Sequence, residues 1–192
     1  MWYRKAAEQG DAHAQSALGS CYAKGEGVVK DDTEAVKWYL KAADQGVVSA
    51  PFYLGRCYAR GEGVAEDSAE AMKWYRKAAD LGNPGAQLML GACYAQGEGV
   101  VKDSAEAAKW YRKVAVGGNS AGQFSLALCY ARGEGVPKDD TEAYKWVLLA
   151  KAQGHEGAGK LMNILEQTLT PEQRAEGQRL AREFKAVPAA TA

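Results

Sequence analysis

The chain has 192 residues, with 24 acidic and 24 basic side chains and a formal net charge of zero. This balance argues against a dedicated binder of nucleic acids or anionic membranes, because such proteins usually carry a positive field. We therefore expect no nucleic-acid partner. Membrane insertion is not expected either, because no run approaches the roughly 20 apolar residues of a membrane-spanning helix.

The N-terminal segment 1–11 is predicted to be the second helix of a truncated repeat. It begins Met1-Trp2-Tyr3-Arg4-Lys5 and lacks the apolar core of a secretory signal. Without that signal the default location is the cytoplasm, although a chain truncated at its N-terminus would also fit a periplasmic or secreted protein. The half-repeat leaves an apolar face uncapped, which makes self-association through it a candidate role.

A repeat of 36 residues organises the chain from residue 12 to residue 155. Its markers are a Tyr-Ala pair, a tryptophan and a cysteine that recur in constant register. They stand at Tyr22, Tyr58, Tyr94 and Tyr130, at Trp2, Trp38, Trp74, Trp110 and Trp146, and at Cys21, Cys57, Cys93 and Cys129. The spacing predicts four complete units without gaps, at 12–47, 48–83, 84–119 and 120–155.

Each unit is predicted to be a pair of helices. In the first unit, apolar residues three or four apart place Ala14 and Leu18 on one face of the first helix. Gly25 and Gly27 end this helix in a tight turn. Asp31 caps the second helix, and Glu34 three residues later predicts a capping box. One such hairpin cannot bury its own apolar face, so stacked copies are needed to form a core.

Small residues are predicted to let neighbouring helices approach closely, while Trp and Tyr fill the remaining volume. The small residues beside the alanine-rich stripe are Gly19, Gly55 and Gly91, and the four later tryptophans are expected in the core. The fourth unit departs from this pattern, with Ala127 in place of the glycine and Val147 in place of a tyrosine.

The C-terminal segment 156–185 is predicted to form capping helices, followed by a flexible tail at 186–192. Thr170-Pro171-Glu172-Gln173 is a helix start with a threonine cap, a proline in the first turn and a glutamine at the capping-box position. Leu148 and Leu149 replace polar residues of the second and third units, which indicates that the last repeat packs against this C-terminal element.

These motifs resemble the Sel1-like repeat family of the tetratricopeptide-repeat-like superfamily. The resemblance rests on Ala14-x-x-x-Leu18-Gly19-x-x-Tyr22, Gly25-x-Gly27-Val28, Ala35-x-x-Trp38-Tyr39 and Ala42-Ala43-x-x-Gly46, and it covers residues 1 to about 155. It implies an all-α fold, an α/α solenoid in which the 36-residue helix-turn-helix repeats form a right-handed superhelix with a concave side. It also implies adaptor or scaffold roles in protein–protein interaction.

Catalytic and metal-binding sites are not predicted. One cysteine per repeat favours small buried apolar residues over disulfides, because equivalent positions on stacked helices lie about 8–10 Å apart. His13 and His155 lie at opposite ends of the repeats, and no CxxC pair exists. The Gly-Glu-Gly-Val turns lack the strand and lysine of a phosphate-binding loop. We therefore expect no enzyme activity and no cofactor.

A protein-binding site is predicted on the first helices, where the units differ most. In tetratricopeptide-like superhelices these helices line the concave groove, and aromatic residues and Arg dominate protein interfaces. The candidate residues are Phe52, Tyr53, Arg56, Arg60, Leu88, Met89, Gln96, Phe124, Leu128 and Arg132. For Phe52, Leu88 and Phe124, packing against a neighbouring helix is an equally good interpretation. The arginines suit an acidic or carboxylate-ended peptide.

The predicted function is thus a scaffold that binds a protein or peptide on the concave first-helix face. Two alternatives stay open at this point. One is a structural module that self-associates, and the other is a non-catalytic regulatory domain of a longer bacterial protein.

Overall fold

A computed structural model of the chain describes residues 2–187. These residues form eleven α-helices and no β-strand, which confirms the predicted all-α class. The helices are α1 (Trp2–Glu8), α2 (Ala12–Lys24), α3 (Asp32–Asp44), α4 (Ala50–Arg60), α5 (Ser68–Asp80), α6 (Pro84–Gln96), α7 (Ser104–Val116), α8 (Ser120–Arg132), α9 (Asp140–Ala152), α10 (Ala158–Thr168) and α11 (Pro171–Glu183).

The helices divide between two compact units. Unit 1 comprises residues 2–86 and 98–100, and unit 2 comprises residues 87–97 and 101–187. In unit 1, α1 packs on α2, α2 on α3, α3 on α4 and α4 on α5. In unit 2, α7 packs on α8, and α9 packs on α8, α10 and α11. Within each unit, successive hairpins thus share their apolar faces, as stacked repeats require.

Each first helix of unit 1 ends at a glycine in the left-handed conformation. Gly61 has a φ of 65° and follows α4, and its N–H donates to the carbonyl oxygen of Cys57. The Glu62 N–H donates to the same oxygen at 3.0 Å. Only glycine adopts this conformation without steric cost, so the sequence signal for the turn is local and strong.

The second helices begin at aspartate caps, but the predicted capping box forms only by half. The Asp67 carboxylate accepts a hydrogen bond from the Glu70 N–H at 2.9 Å, as predicted. The Asp67 N–H does not bond to Glu70 but donates to the carbonyl oxygen of Tyr58 at 2.9 Å. The Glu70 carboxylate instead forms an ion pair with Lys73 at 2.6 Å. The turn supplies the partner that a capping box would otherwise provide.

The small residues of the first helices lie against the tyrosines of the second helices. A Cβ atom at Gly91 would lie 2.5 Å from Cε1 of Tyr111, well inside the sum of atomic radii. In the fourth repeat both partners change together: Ala127 and Val147 are fully buried. Because valine is shorter than tyrosine, it leaves the room that the alanine Cβ occupies.

The tryptophans are less uniform than the predicted core positions. Trp110 and Trp146 are buried, whereas Trp38 and Trp74 are half-buried and pack against the edge of the core. A lysine covers the face of each ring, with Lys41 Nζ 4.1 Å and Lys77 Nζ 5.1 Å from the ring centroids of Trp38 and Trp74. The aliphatic stem of a lysine shields apolar surface while its ammonium group stays in water.

A buried glutamine bridges neighbouring hairpins in both units. In unit 2, Gln123 Nε2 donates to the carbonyl oxygen of Ala115 at 3.4 Å, and Gln153 Nε2 donates to Gln123 Oε1 at 2.8 Å. In unit 1, Gln15 makes the equivalent bonds to Ala7 and Gln45 at 3.2 and 2.7 Å. The Ala7 and Ala115 carbonyl oxygens also accept backbone N–H groups from Gly10 and Gly118, so the glutamine adds a second donor to each. The bonds thereby satisfy the buried glutamine amide itself.

The C-terminal helix α11 packs along α9, where Leu148 and Leu149 replace the Arg-Lys pairs of the second and third repeats. Its start has the predicted capping box: the Gln173 N–H donates to Thr170 Oγ1, and the Thr170 N–H donates to Gln173 Oε1. Phe184 meets Trp146 edge-on, with ring centroids 5.3 Å apart. Beyond α11 the Val187 N–H donates to the Val116 carbonyl oxygen, and residues 188–192 of the predicted tail lie outside the described residues.

Candidate functional site

The predicted binding residues lie on three first helices, α4, α6 and α8, and the structure separates them by what they touch. In the second and fourth repeats, an aromatic ring at one shared position of the first helix packs against the segment that joins its repeat to the next element. Phe124 stacks on His155 with ring centroids 4.3 Å apart. A Cβ at Gly85 would lie 3.3 Å from the Phe52 ring. Both rings are half-buried and fill space between hairpins, which is the packing interpretation that the sequence left open.

A cavity of about 180 Å³ lies between the first two repeats of unit 1. We call it the Arg56 cavity. Tyr39 of α3 and Tyr53 of α4 stack in its wall with ring centroids 5.0 Å apart and an interplanar angle of 18°. Tyr39 also donates a hydrogen bond to Ser20 Oγ at 3.2 Å. The full lining is Ser20, Ala23, Lys24, Lys30, Tyr39, Tyr53, Arg56, Cys57 and Glu62.

Two ionisable groups of this wall stay neutral at ordinary pH. Burial raises the pKa of Tyr39 to about 12, although its bond to Ser20 acts in the opposite direction. Burial likewise raises the pKa of the Cys57 thiol to about 11, assisted by the negative charge of Glu62. The thiolate, not the thiol, is the nucleophile. Cys57 is therefore a small apolar wall residue and has little thiolate character.

The cations of the Arg56 cavity differ in their partners. Lys24 pairs with Glu26 at 3.7 Å and Lys30 pairs with Asp32 at 3.2 Å. Within residues 2–187, the guanidinium of Arg56 forms no salt bridge and no hydrogen bond, and the residue is half-buried. Among the cations that line the cavity, Arg56 is therefore the one that forms no salt bridge, while Glu62 of the same lining pairs with Arg60.

Unit 2 has a cavity of about 320 Å³ at the same position of the repeat, between the third and fourth repeats where α7 packs on α8. We call it the Leu128 cavity. Leu128 stands where the Arg56 cavity has its arginine, and Ser125 stands where that cavity has Tyr53. The full lining is Ala95, Gln96, Lys102, Ser104, Ala107, Tyr111, Ser125, Leu128, Cys129, Arg132 and Glu134. Smaller side chains make this cavity larger and less cationic.

The remaining predicted residues divide between positions that line a cavity and positions outside both cavities. Arg60 is exposed and pairs with Glu62 at the rim of the Arg56 cavity, with 3.7 Å between Nη1 and Oε1. Arg132 lines the Leu128 cavity and pairs with Glu134 at 3.9 Å. Leu88 and Met89 are half-buried on α6 and line neither cavity.

Sequence reasoning missed the contribution of the second helices and the turns. Tyr39 and Tyr111 form the inner walls of the two cavities, and Glu62 and Glu134 lie at their edges. The available signal was the pairing of a glycine with a tyrosine in one repeat, which places the tyrosine ring against the first helix. Both glutamates lie in the Gly-Glu-Gly turns that follow the first helices.

The described residues offer little for other kinds of site. All four cysteines are free thiols. Among residues 2–187, no cluster of three or more His, Cys, Asp or Glu side chains is arranged to hold a metal ion. No helix in this part of the chain has both the length and the apolar character needed to cross a membrane.

The Sel1 repeat family model matches the chain five times, at residues 1–11, 12–47, 48–83, 84–118 and 120–155. A search of curated proteins finds no match. Among solved structures, a protective antigen of uropathogenic Escherichia coli with an SLR fold is 39% identical, with a TM-score of 0.88 over 95% of this chain. The chain spans only 39% of the length of that antigen.

A Sel1 repeat protein from Oxalobacter formigenes is 38% identical, with a TM-score of 0.80, and the match covers 97% of this chain and 77% of that one. A putative Sel1 repeat protein from Klebsiella pneumoniae has 22% identity and a TM-score of 0.55, over 86% of this chain and 82% of that one, and shows likeness of fold alone. Together these matches confirm the predicted fold class, an α/α solenoid of helix-turn-helix repeats.

Proposed function

Because the chain belongs to the Sel1 repeat family, whose members are in general protein-interaction scaffolds, we propose that it binds another protein through its first-helix face. The contact residues in this proposal are those that line the two cavities. They are Tyr53 and Arg56 in unit 1 and Gln96, Leu128 and Arg132 in unit 2. Family members are typically non-catalytic scaffolds, and the proposal assigns the chain a binding role alone.

One observation carries this proposal: a cavity occurs at the same repeat position in both units. Its lining combines side chains that are the same in both cavities with side chains that differ between them. The tyrosine and cysteine of the wall are shared, as Tyr39 and Cys57 in unit 1 and Tyr111 and Cys129 in unit 2. A scaffold that keeps the wall and changes the lining alters what it binds without altering how it folds.

The proposal is tested with two variants that change net charge equally. The cavity variant carries Arg56→Glu and Arg132→Glu, and the control carries Lys73→Glu and Lys109→Glu on exposed faces of the second helices. Circular dichroism first establishes equal helicity. A protein retained from a lysate by the parent chain and the control, but lost by the cavity variant, supports the proposal. Equal retention by all three places binding elsewhere and overturns it.

Self-association is a second candidate function, favoured by the surface of unit 1 near α1. Tyr3 exposes 59% of its surface. The Gly27 turn faces open space, whereas its equivalent at Gly63 meets the backbone of Asp32 in the preceding repeat. Light scattering over a range of concentrations tests this candidate. A dimer that dissociates in a Tyr3→Glu variant supports it, and a monomer at the highest concentration contradicts it.

A further inference from the structure

The arginine of the Arg56 cavity is half-buried and forms no salt bridge and no hydrogen bond with the other residues that the structure describes. A half-buried guanidinium has lost part of its hydration, so an incoming carboxylate regains favourable electrostatic energy there at a smaller desolvation cost than a fully hydrated ammonium would impose. Lys24 and Lys30 lie at the same cavity but are exposed and already paired. The Glu62 carboxylate of the same lining pairs with Arg60, so Arg56 holds the one lining charge that has no ion-pair partner among the described residues.

Comparison between repeats indicates that the arginine is not needed for the fold. The positions equivalent to Arg56 are Ser20, Ala92 and Leu128, so the repeat accepts a small polar, a small apolar or a larger apolar residue there. The equivalents of Tyr53 are Ala17, Met89 and Ser125. Only the second repeat combines an aromatic ring and an arginine at these two positions.

The size of the cavity limits its occupant. A volume of about 180 Å³ equals that of about six water molecules and lies below the roughly 300 Å³ at which cofactor and drug-sized sites begin. It accommodates one side chain of a larger partner. The stacked rings of Tyr39 and Tyr53 provide an apolar wall for the methylene groups of that side chain, while Arg56 provides the charge.

We propose that the Arg56 cavity binds the carboxylate side chain of a glutamate or aspartate in a partner protein. In this complex the Arg56 guanidinium is the cation that pairs with the carboxylate. This inference rests on the proposed scaffold function and names the residue type that unit 1 selects. A planar guanidinium binds a carboxylate through two parallel hydrogen bonds, which gives direction as well as charge complementarity. The Leu128 cavity has leucine at this position and does not share the preference.

The test uses single amino acids as probes, so it does not require a known partner. N-acetylglutamate α-amide carries the side-chain carboxylate alone, and N-acetylglutamine α-amide is its neutral analogue of nearly equal shape. Each is titrated into the full chain while NMR records the Arg56 Nε–Hε signal and the backbone amides of Ser20 and Tyr53. We expect saturable shifts with the glutamate probe on the order of 1–10 mM and none with the glutamine probe.

Variants taken from the repeat itself supply the controls. Arg56→Leu reproduces the residue of the Leu128 cavity and should abolish the saturable shifts, whereas Lys160→Leu removes an exposed cation elsewhere and should preserve them. Leu128→Arg should add saturable shifts at Ser125. Equal shifts with both probes, or shifts that survive in Arg56→Leu, overturn the inference, as does tighter binding of N-acetylglycine, which offers a main-chain carboxylate.

These outcomes are separate from those of the proposed function. If the cavity variant loses its protein partner while the glutamate probe fails to bind, the scaffold proposal stands and the assignment of a carboxylate side chain fails. If the probe binds but no partner depends on the cavity residues, the scaffold proposal fails.

Discussion

At the scale of single residues, the contact between a glycine on the first helix and a tyrosine on the second helix governs how closely the two helices pack. Gly91 and Tyr111 make this contact in unit 2, and the fourth repeat replaces the pair with Ala127 and Val147, both buried. Protein interiors are packed as densely as organic crystals, so the two positions are constrained together. Each departure is visible in the sequence, but their physical link is a contact between two helices.

We predict that Gly91→Ala destabilises the chain by about 1–3 kcal/mol through overpacking, partly offset by the better helix propensity of alanine. Adding Tyr111→Val should recover part of this loss, because the shorter side chain makes room for the new Cβ. A double-mutant cycle of unfolding free energies measures the coupling. Gly159→Ala on α10 is the control, since its Cβ would meet no atom within 4 Å. Additive effects of the two unit 2 substitutions would contradict this account.

A second residue-scale prediction concerns alkaline pH. Burial raises the pKa values of the Cys57 and Cys129 thiols to about 11, from an ordinary value near 9, and those of Tyr39 and Tyr111 to about 12. A folded-state pKa above the unfolded value means that the unfolded state loses protons first as pH rises. The buried protonated thiols and phenols therefore leave the free energy of unfolding unchanged below about pH 9. Between pH 9 and pH 12 this free energy falls progressively, because the unfolded state ionises first.

Urea denaturation at a series of pH values, with a reductant present, measures this loss. Between pH 9 and pH 11, the free energy of unfolding of the double variant Cys57→Ala, Cys129→Ala should decline less steeply than that of the parent chain. The variant lacks two of the groups whose pKa values differ between the folded and unfolded states. An identical decline in both proteins would show that the two thiols do not contribute.

At the scale of the helix, the start of each second helix depends on its aspartate cap. The Asp67 carboxylate binds the Glu70 N–H, and the equivalent caps at Asp31, Asp103 and Asp139 do the same for their helices. The glutamate three residues later forms an exposed ion pair with a lysine, as Glu70 does with Lys73. Exposed pairs of this kind contribute little to stability.

We therefore expect substitutions at Asp67 and Glu70 to differ in how strongly they destabilise α5. Asp67→Ala should destabilise α5 by about 1 kcal/mol, because an N–H of the first turn loses its partner. Glu70→Gln should have a much smaller effect, since it removes only the ion pair with Lys73. Hydrogen exchange of the α5 amides distinguishes the two variants. Equal losses would indicate that Glu70 completes a capping box in solution.

At the scale of the whole molecule, repeats open as local units, and the cysteines report on this opening because one occurs in each repeat. Cys21 is partly exposed, whereas Cys57, Cys93 and Cys129 are buried. Stability in repeat proteins is a sum of local terms, so buried thiols become accessible only when their own part of the chain opens.

We predict that a thiol reagent in native buffer modifies one cysteine quickly and the other three slowly. Cys21→Ser should remove the fast phase and leave the slow phases unchanged. Low urea should accelerate the slow phases, as opening becomes more frequent. Four equal rates would contradict the burial differences along the chain. Mass spectrometry of the labelled peptides identifies the modified residue.

The sequence alone determined the repeat, its helix pairs, the glycine turns and the aspartate caps. These features depend on residues a few positions apart, such as Gly61 at the end of α4 or Asp67 before α5, and local backbone sterics and hydrogen bonds decide them. It also placed the variable residues on the first helices. The regular register of 36 residues then implied that the hairpins stack.

Only the tertiary structure decided which variable residues remain available for binding. Phe52 and Arg56 are four residues apart on one helix, yet Phe52 packs against the following repeat and Arg56 lines a cavity. The same holds for charge, because Arg60 has Glu62 as a partner and Arg56 has none within the described chain. These differences arise from contacts with Tyr39, Glu62 and Gly85 on neighbouring elements, and a helical pattern specifies the direction of a side chain but not what it meets.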